Sequence, residues 1–579
     1  MSTTSRPAST SRFPPNTQHP LLLLFFISYV AFLVIKSIQF AHQATLKYSY
    51  AQGVFYDLSD HQWRTFSQNL PKFLMVLVSF IFLKKIVMKL FGSVYHLRYG
   101  NVKREADELM ARVMTLHYDA MRVRVLHAYY VIANSAILYV LHGSDFFIVL
   151  LPFISVIYLI SSVFKKSKLS VVLTWILCIV ALFVCEYKLV QWRGGRLRGL
   201  YRVNVAFNMT FLRLVSFVFD RWDLNARRLP ALSRSHRKKM HNSAPIVQHT
   251  SLLKSAPKPH VCDVCNPSTG AMCYSERVKY GTTSDDEFGY FAFLSYVLYF
   301  PLYIAGPITT FNAFESHLKK SQTSHSTKDL MVYAARVAFG YLCLEFILRY
   351  IHAPRLLRMN LNALRRYTTG EVSALCFWNL IFLYCKFNFI WKLFRFAALL
   401  DGVEAPENMN RCAFSAFSIS LFWKNWHASY NLWLLRYVYI PLGGNRQGKV
   451  RQILSILLVF TFVALWHDIT LHLLAWGWLL SLVYIPEVLA SRLASKWQDR
   501  WWYEWAIAVC GAVVVFFVTL ANVVGFVFGL EGMGAFWEMM FEGDMSPLLV
   551  GLSGFPMGIM VTLNLRKYER FYGVRKGIA

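Results

Sequence analysis

Long apolar blocks, separated by short polar and basic segments, dominate the chain from residue 20 onward. The first block, 21–40, reads LLLLFFISYVAFLVIKSIQF, and a helix needs roughly 20 apolar residues to cross a bilayer. Because a backbone exposed to lipid must satisfy its own hydrogen bonds, the blocks are predicted to be α-helices. The pattern therefore predicts an all-α polytopic membrane protein with about ten to twelve passes. Further blocks lie at 73–92, 124–142, 145–163, 170–187, 288–306, 329–351, 374–399, 452–485, 505–529 and 547–563.

The same pattern divides the chain into regions. Residues 1–19 are rich in Ser, Thr and Pro and are predicted to form a disordered N-terminus in the cytoplasm. The block that follows is too long for the core of a signal peptide and has no small-residue cleavage site after it, so it is interpreted as a retained anchor. The remaining predicted regions are transmembrane helices with an amphipathic segment over 20–220, a polar loop over 221–287, a second helical region over 288–565 and a short tail over 566–579.

The net charge of +30 is spread over short loops rather than gathered in one patch. This distribution is typical of cytoplasmic loops, in which Lys and Arg meet anionic lipid head groups. It predicts a cytoplasmic N-terminus, with the nearly neutral segment 41–72 on the opposite side. Membrane lipids are therefore expected as partners and nucleic acid is not. Basic loop residues include Lys84, Lys85, Lys89, Lys165, Lys166, Lys168, Arg355, Arg358, Arg365 and Arg366.

The polar loop contains a cluster of cysteines in the sequence HVCDVCNPSTGAMC. His260, Cys262, Cys265 and Cys273 are donors of the type that zinc prefers, and CxxC is a common half-site spacing. A second compact pair is missing, however. A structural zinc site therefore stays open as an alternative, but a reduced or palmitoylated cytoplasmic loop is favoured, and no metal ligand is assigned.

Polar residues interrupt the apolar pattern between 412 and 450. On a continuous helix Trp423, His427 and Asn431 would share one stripe, and the PLGG that follows would end the helix and turn the chain. Ionisable side chains are expensive at membrane depth, so this segment is not expected to face lipid. We predict a helix that is buried in protein or lines a wet cavity.

A second polar cluster lies inside the apolar run 454–482. Trp466, His467 and Asp468 stand near its middle, and His472 follows about one turn later. A lone histidine in a membrane helix is more often a packed, hydrogen-bonded side chain, and that alternative stays open. The neighbouring acid and the histidine-containing segment upstream favour a functional role for His467.

These two segments resemble a known family. FWKNWHASYNLWLLRYVYIPLGG, which contains His427, and ALWHDITLHLLAWGW, which contains His467, are similar to the MBOAT family, the membrane-bound O-acyltransferases. The likeness extends over about 200–535 and is to the glycerol-uptake-protein branch, whose fungal members remodel GPI anchors. The cysteine-containing loop is a departure from that branch. Further matching phrases are FNMTFLRLVSFVFDRW, YVLYFPLYIAGPITTFNAF, WKLFRFAALLDGVEAPENMNRC and ANVVGFVFGLEG.

The resemblance implies a fold and a reaction. The fold would be an MBOAT-like helical bundle with re-entrant or amphipathic segments, and 288–565 would be its catalytic core. The reaction would transfer a long acyl chain from acyl-CoA, a co-substrate, to a lipid hydroxyl such as the sn-2 position of a lyso-GPI anchor. No bound cofactor is implied. The expected location is the endoplasmic reticulum membrane, and the oligomeric state is left open.

The chemistry assigns roles to the histidines. Transfer requires that the acceptor hydroxyl lose its proton and that donors meet the oxyanion which forms. A neutral imidazole suits the first role, and we assign His467 as general base, as the resemblance also implies. For His427 and Asn431 the resemblance implies a second role, either hydrogen bonding to the thioester carbonyl or orienting the acceptor. No GxSxG elbow stands nearby, so direct transfer is preferred to an acyl-enzyme.

The remaining assignments concern substrate binding and support. Arg436 beside PLGG suits a phosphate of the donor, although anchoring to lipid head groups is an equal alternative. Asp468 is a candidate to orient His467. Arg213 and Asp220 are expected either to pair or to line the acceptor entrance, with pairing favoured. The residues assigned to substrate binding are Trp423, Arg436, Trp466 and Asp468, while Glu404, Glu407 and Asn408 are assigned to a turn without chemistry.

Three other functions remain open on the sequence. A polyol carrier is disfavoured because no internal repeat and no paired broken helices are seen. An inactive regulator is disfavoured by the retained His467. A protein acyltransferase of the Hedgehog type is separated from a lipid acyltransferase only by the branch resemblance.

Overall fold

Helices make up almost all of the part of the chain that the computed structural model describes, which is residues 20–53, 55–105, 108–185, 203–226, 265, 272–358 and 365–571. Within these residues the β-type pairing consists of one isolated bridge between Met409 and Trp426. In the same residues, π-helical turns over Leu435–Tyr439 and Val524–Phe528 follow the α-helices Ala428–Leu434 and Tyr503–Val523. The α-helices are α1 (Pro20–Gln52), α2 (His61–Glu105), α3 (Glu108–His142), α4 (Ser144–Val163), α5 (Leu169–Val184), α6 (Val203–Ala226), α7 (Tyr274–Tyr280), α8 (Tyr290–Val297), α9 (Phe300–Tyr303), α10 (Phe311–Lys319), α11 (Thr327–Tyr350), α12 (Ala353–Leu357), α13 (Thr369–Leu400), α14 (Ile419–Asn425), α15 (Ala428–Leu434), α16 (Lys449–His467), α17 (Leu471–Ala494), α18 (Tyr503–Val523), α19 (Gly529–Glu542) and α20 (Ser546–Phe571).

Eight helical stretches in the described residues are long and apolar enough to cross a membrane. Two shorter apolar helices, Phe147–Val163 and Leu169–Val184, accompany them. The predicted all-α polytopic class is confirmed, and the apolar run 452–485 proves to be two helices. The eight stretches are Pro20–Ser49, Glu108–His142, Thr327–Tyr350, Thr369–Leu400, Lys449–His467, Leu471–Ser491, Tyr503–Gly534 and Ser546–Glu569.

The predicted span at 288–306 is wrong. That segment forms the short helices α8 and α9, and its residues are almost all buried inside the protein. The break falls at Tyr299, and Pro301 in the first turn of α9 brings no backbone N–H. Asn134 satisfies the broken backbone by accepting a hydrogen bond from the Phe300 amide at 3.1 Å. The segment is apolar because it belongs to the protein core.

Helix α6 lies at the centre of the fold and is buried on nearly every side. It packs against α4, α5, α8 and α10. A helix that is apolar all round belongs in a protein interior, which agrees with its aromatic-rich sequence. Two of its residues bond to the segments that contain the two histidines. The Leu212 carbonyl accepts from the Trp433 indole, and the Asn208 side chain donates to the Trp466 carbonyl. This helix therefore connects α15 with α16.

Buried ion pairs join the N-terminal helices to the rest of the bundle. Lys84 of α2 lies 2.9 Å from Asp401, and the hydroxyls of Tyr130 and Tyr299 donate to the same carboxylate at 2.7 and 2.6 Å. A buried charge is costly unless it is paired in this way. Asp401 begins the loop that leads toward His427, so helices far away in sequence hold that loop.

Candidate active site

His467 is the last residue of α16, at the turn of a tight helical hairpin. Asp468 leaves the helix with extended backbone angles (φ −169°, ψ 148°), and α17 begins at Leu471. The two helices approach closely at Gly477, where an added Cβ would lie 2.9 Å from the Phe460 carbonyl oxygen. The apolar run thus folds back on itself at the histidine.

Aromatic rings surround His467. Its ring centroid lies 4.9 Å from that of Trp466 and 6.0 Å from that of Trp476, both nearly perpendicular. The side chain of His467 is exposed at the end of α16, although aromatic side chains pack beside it. Trp466 is fixed by a reciprocal pair of hydrogen bonds with Asn208, at 2.8 Å from its indole nitrogen and 2.6 Å to its carbonyl.

His427 lies at a break between α14 and α15, so the predicted continuous stripe of Trp423, His427 and Asn431 is wrong. The backbone of His427 is left-handed, with φ 45° and ψ 45°, a conformation that costs a non-glycine residue about 1–3 kcal/mol. Such residues persist only where their surroundings impose the geometry. Because of this break, the imidazole points in a different direction from the one it would have on a continuous helix.

Asn408 imposes this geometry. Its carbonyl oxygen accepts from the Ala428 amide and its side-chain Oδ1 accepts from the Ser429 amide, both at 3.1 Å. Asn408 is fully buried, and Glu407 beside it pairs with Lys392 at 3.1 Å. The sequence predicts only a turn without chemistry for these two residues. It carries no signal for the contact between Asn408 and the segment that begins at Ala428.

Glu487 connects the hairpin to this break. Its carboxylate accepts from the amides of Ile419 and Ser420, at 2.6 and 3.3 Å, at the N-terminus of α14. A carboxylate is favourable there because it meets unpaired amides and the positive end of the helix dipole. The helix that follows His467 therefore also positions the helix that precedes His427.

The imidazole of His427 is almost completely buried among aromatic rings. Its centroid lies 4.4 Å from that of Trp391, at 90°, and 5.2 Å from that of Tyr430. Burial, with a smaller contribution from the nearby His467, lowers the pKa of His427 to about 3. The ring is therefore neutral at physiological pH, and its Nδ1 has no hydrogen-bond partner in the described part of the chain.

The two histidines are linked through a short chain of aromatic contacts. Tyr430 lies 4.5 Å from Trp466, and Trp466 in turn touches His467. Trp423 reaches the same cluster from the other side, with its centroid 6.3 Å from that of Trp476. The structure thus brings His427, His467, Trp423 and Trp466 together. Asn431 is half-buried on α15, and its backbone amide donates to the His427 carbonyl at 3.1 Å.

Arg436 and Asp220 form an ion pair at 2.9 Å, which Tyr437 supports with a hydrogen bond at 3.0 Å. The favoured pairing of Arg213 with Asp220 is therefore wrong. Arg213 instead donates to the Val297 carbonyl at 2.6 Å. The charge of Arg436 is balanced within the protein, and its assignment to substrate binding stays a prediction.

Asp468 does not hold His467 through its buried oxygen. Its Oδ1 has no hydrogen-bond partner among the described residues. Its backbone carbonyl accepts from the Thr470 amide at 3.0 Å and so shapes the hairpin turn. His472 lies 3.4 Å from the Thr470 hydroxyl. The role of Asp468 in substrate binding stays a prediction.

Two of the four proposed zinc ligands, His260 and Cys262, lie outside the described residues. In the described residues the Cys273 amide donates to the Cys265 sulfur at 3.3 Å. No group of three or more His, Cys, Asp or Glu side chains placed to hold a metal occurs in that part of the chain.

Comparison with known proteins shows the family to which the chain belongs. The model of the MBOAT, membrane-bound O-acyltransferase family matches residues 158–530. The chain is 31% identical over 542 residues to the membrane-bound O-acyltransferase GUP1 of Candida tropicalis, covering 90% of this chain and 80% of the relative. It is 30% identical over 546 residues to that of Schizosaccharomyces pombe, covering 91% and 83%. It is 25% identical over 281 residues to the mouse protein-cysteine N-palmitoyltransferase HHAT, covering 45% and 54%.

The family match includes every element described above around the two histidines. It covers most of the chain, and the two relatives that match about nine-tenths of the chain are O-acyltransferases by name. The chain is therefore an acyltransferase and belongs to the MBOAT, membrane-bound O-acyltransferase, family.

Proposed function

We propose that this protein transfers a long acyl chain from acyl-CoA to a lipid hydroxyl, with His467 as general base. The observation that carries the proposal is the position of His467, whose side chain is exposed at the end of α16 beside the rings of Trp466 and Trp476. A base must reach its substrate, and exclusion of bulk water protects the reactive thioester from hydrolysis.

The reaction is a direct transfer. His467 takes the proton of the acceptor hydroxyl as its oxygen forms a bond to the thioester carbonyl carbon. The carbonyl electrons move to oxygen, then return as the carbon–sulfur bond breaks. The CoA thiolate leaves with the proton that His467 had taken, so the products are an ester and CoA, and the base is regenerated.

His427 is assigned to orienting the acceptor. Its low pKa keeps it neutral, so it neither repels a positively charged His467 nor competes for the proton. The break after α14 places its ring in the aromatic cluster, and Nδ1 has no hydrogen-bond partner among the described residues. A neutral imidazole can donate from one nitrogen and accept at the other, which suits alignment of a hydroxyl.

A lyso-GPI anchor is the proposed acceptor, with the free sn-2 hydroxyl as the site of esterification and the endoplasmic reticulum membrane as the location. The GUP1 relatives match about nine-tenths of the chain and are named O-acyltransferases, which favours a hydroxyl over an amine. A lipid reaches a site inside a helical bundle sideways, through the membrane. The match to HHAT over 45% of the chain supports protein acylation as the second candidate.

Cells that lack this protein test both the acceptor and the base. Mass spectrometry of released anchors should show accumulation of lyso-type lipids, and wild-type protein should restore the two-chain form. His467→Ala should not restore it, whereas His472→Ala, its matched control in the same hairpin, should. Unchanged anchor lipids, together with loss of an acyl group from a secreted protein, would move the assignment to protein acylation.

A further inference from the structure

Tyr430 lies between the two histidines. It is on the first turn of α15, 98% buried, and its ring contacts those of His427 at 5.2 Å and Trp466 at 4.5 Å. Its third ring neighbour is Trp433, at 6.2 Å. The ring of Tyr430 therefore lies between the His427 break and the His467 hairpin, and its backbone amide donates to the His427 carbonyl at 2.9 Å.

The hydroxyl of Tyr430 has no hydrogen-bond partner among the described residues, although it is buried. Burial raises the pKa of Tyr430 well above its ordinary value, so the hydroxyl keeps its proton and can act as a donor. A buried hydroxyl without a partner costs about 1–3 kcal/mol, so its presence calls for an explanation. Two other unpaired atoms, His427 Nδ1 and Trp423 Nε1, lie in the same aromatic cluster.

Resting on the proposed function, we infer that the Tyr430 hydroxyl donates a hydrogen bond to the thioester carbonyl oxygen of the acyl donor. It would then stabilise the negative charge that this oxygen gains when the acceptor attacks. A donor held rigidly in a dry site is effective because no solvent has to reorganise as the charge develops. The substrate would supply the partner that the described residues do not.

A packing role for Tyr430 predicts that Tyr430→Phe keeps the wild-type kcat, because the ring alone would fill the space. In either role, removing a hydroxyl that has no partner among the described residues should leave stability unchanged or raise it. Tyr437 provides the contrast, because its hydroxyl bonds to Asp220 at 3.0 Å and to Ser216 at 2.8 Å. Loss of that hydroxyl should lower stability.

The test compares kcat, KM and melting temperature of purified wild type, Tyr430→Phe and the control Tyr437→Phe. We expect Tyr430→Phe to lower kcat by about 100-fold, as loss of one oxyanion donor does, with the melting temperature unchanged or higher. Tyr437→Phe should melt at a lower temperature, which shows that the measurement detects a lost hydrogen bond.

Three results overturn the inference: a kcat for Tyr430→Phe within about threefold of wild type, a rise of KM alone, or a loss of kcat that accompanies a lower melting temperature. If wild-type protein transfers no acyl group from acyl-CoA to any acceptor, the proposed function fails as well. The wild-type measurement therefore distinguishes the two failures.

Discussion

At the scale of single residues, the environment of His427 decides what it can do. A histidine with an ordinary pKa near 6.5 would titrate within the physiological range, but burial against Trp391 and Tyr430 keeps this one neutral. A neutral ring can act on a substrate only through hydrogen bonds. Asn408 fixes the backbone beside His427 and so sets the direction in which the ring points. Position and burial together separate His427 from the exposed His467.

The low pKa of His427 predicts how stability depends on pH. The unfolded chain binds a proton at this residue below about pH 6.5 while the folded protein does so only near pH 3, so stability falls as pH drops through that window. At pH 5 the loss amounts to about 2 kcal/mol at most. His427→Gln should therefore show a smaller fall in melting temperature between pH 7 and pH 5 than wild type.

The exposed His61 at the start of α2 provides the control for that measurement. His61→Gln should keep the wild-type fall in melting temperature between the two pH values. If the melting temperature fell equally in wild type and His427→Gln, the pKa of His427 would not be lowered in the folded protein.

At the scale of helices, the π-helical segment Val524–Phe528 shapes the wall beside His467. Trp476 donates to Asn522 at 3.1 Å and packs against Phe526 at 5.3 Å. Gly525 allows this packing, because an added Cβ would lie 2.9 Å from Cγ of Trp476. Single π turns inside α-helices occur often at functional sites, and this one places a large ring against the proposed base.

Gly525→Ala should therefore lower activity by displacing Trp476. A shift of the wall by about 1 Å predicts a 10- to 100-fold fall in kcat/KM. Gly534→Ala is the matched control, since its Cβ meets nothing within 4 Å, and it should behave as wild type. Equal activity of the two variants in the acyl-transfer assay would show that the wall at Trp476 tolerates displacement.

The helices themselves could be predicted from the sequence wherever apolar blocks are long, as at 329–351 and 505–529. The break at His427 could not, because it depends on Asn408, and periodicity within a segment contains no information on such a contact. The segment 288–306 was mistaken for a span because burial in protein and burial in lipid select the same apolar residues. The site histidines could be proposed because ionisable side chains stand out in apolar sequence.

At the scale of the whole molecule, the site depends on helices from both ends of the chain. Asp401, held by Lys84 of α2 and Tyr130 of α3, anchors the loop that leads to Asn408 and His427. Asn208 of α6 fixes Trp466 beside His467. The family match over residues 158–530 includes Asn208, Asp401 and both histidine segments, whereas Lys84 and Tyr130 lie before it.

The central claim, acyl transfer to a lipid hydroxyl by His467, is tested most directly with purified protein in detergent, labelled acyl-CoA and a panel of lysolipid and peptide acceptors. Label should appear in an ester on the lysolipid and not on the peptides. The rate should fall by about 10²- to 10⁴-fold in His467→Ala, whose melting temperature should match wild type, while His472→Ala stays active. Label on the peptides, or near-normal transfer by His467→Ala, would contradict acyl transfer to a lipid hydroxyl by His467.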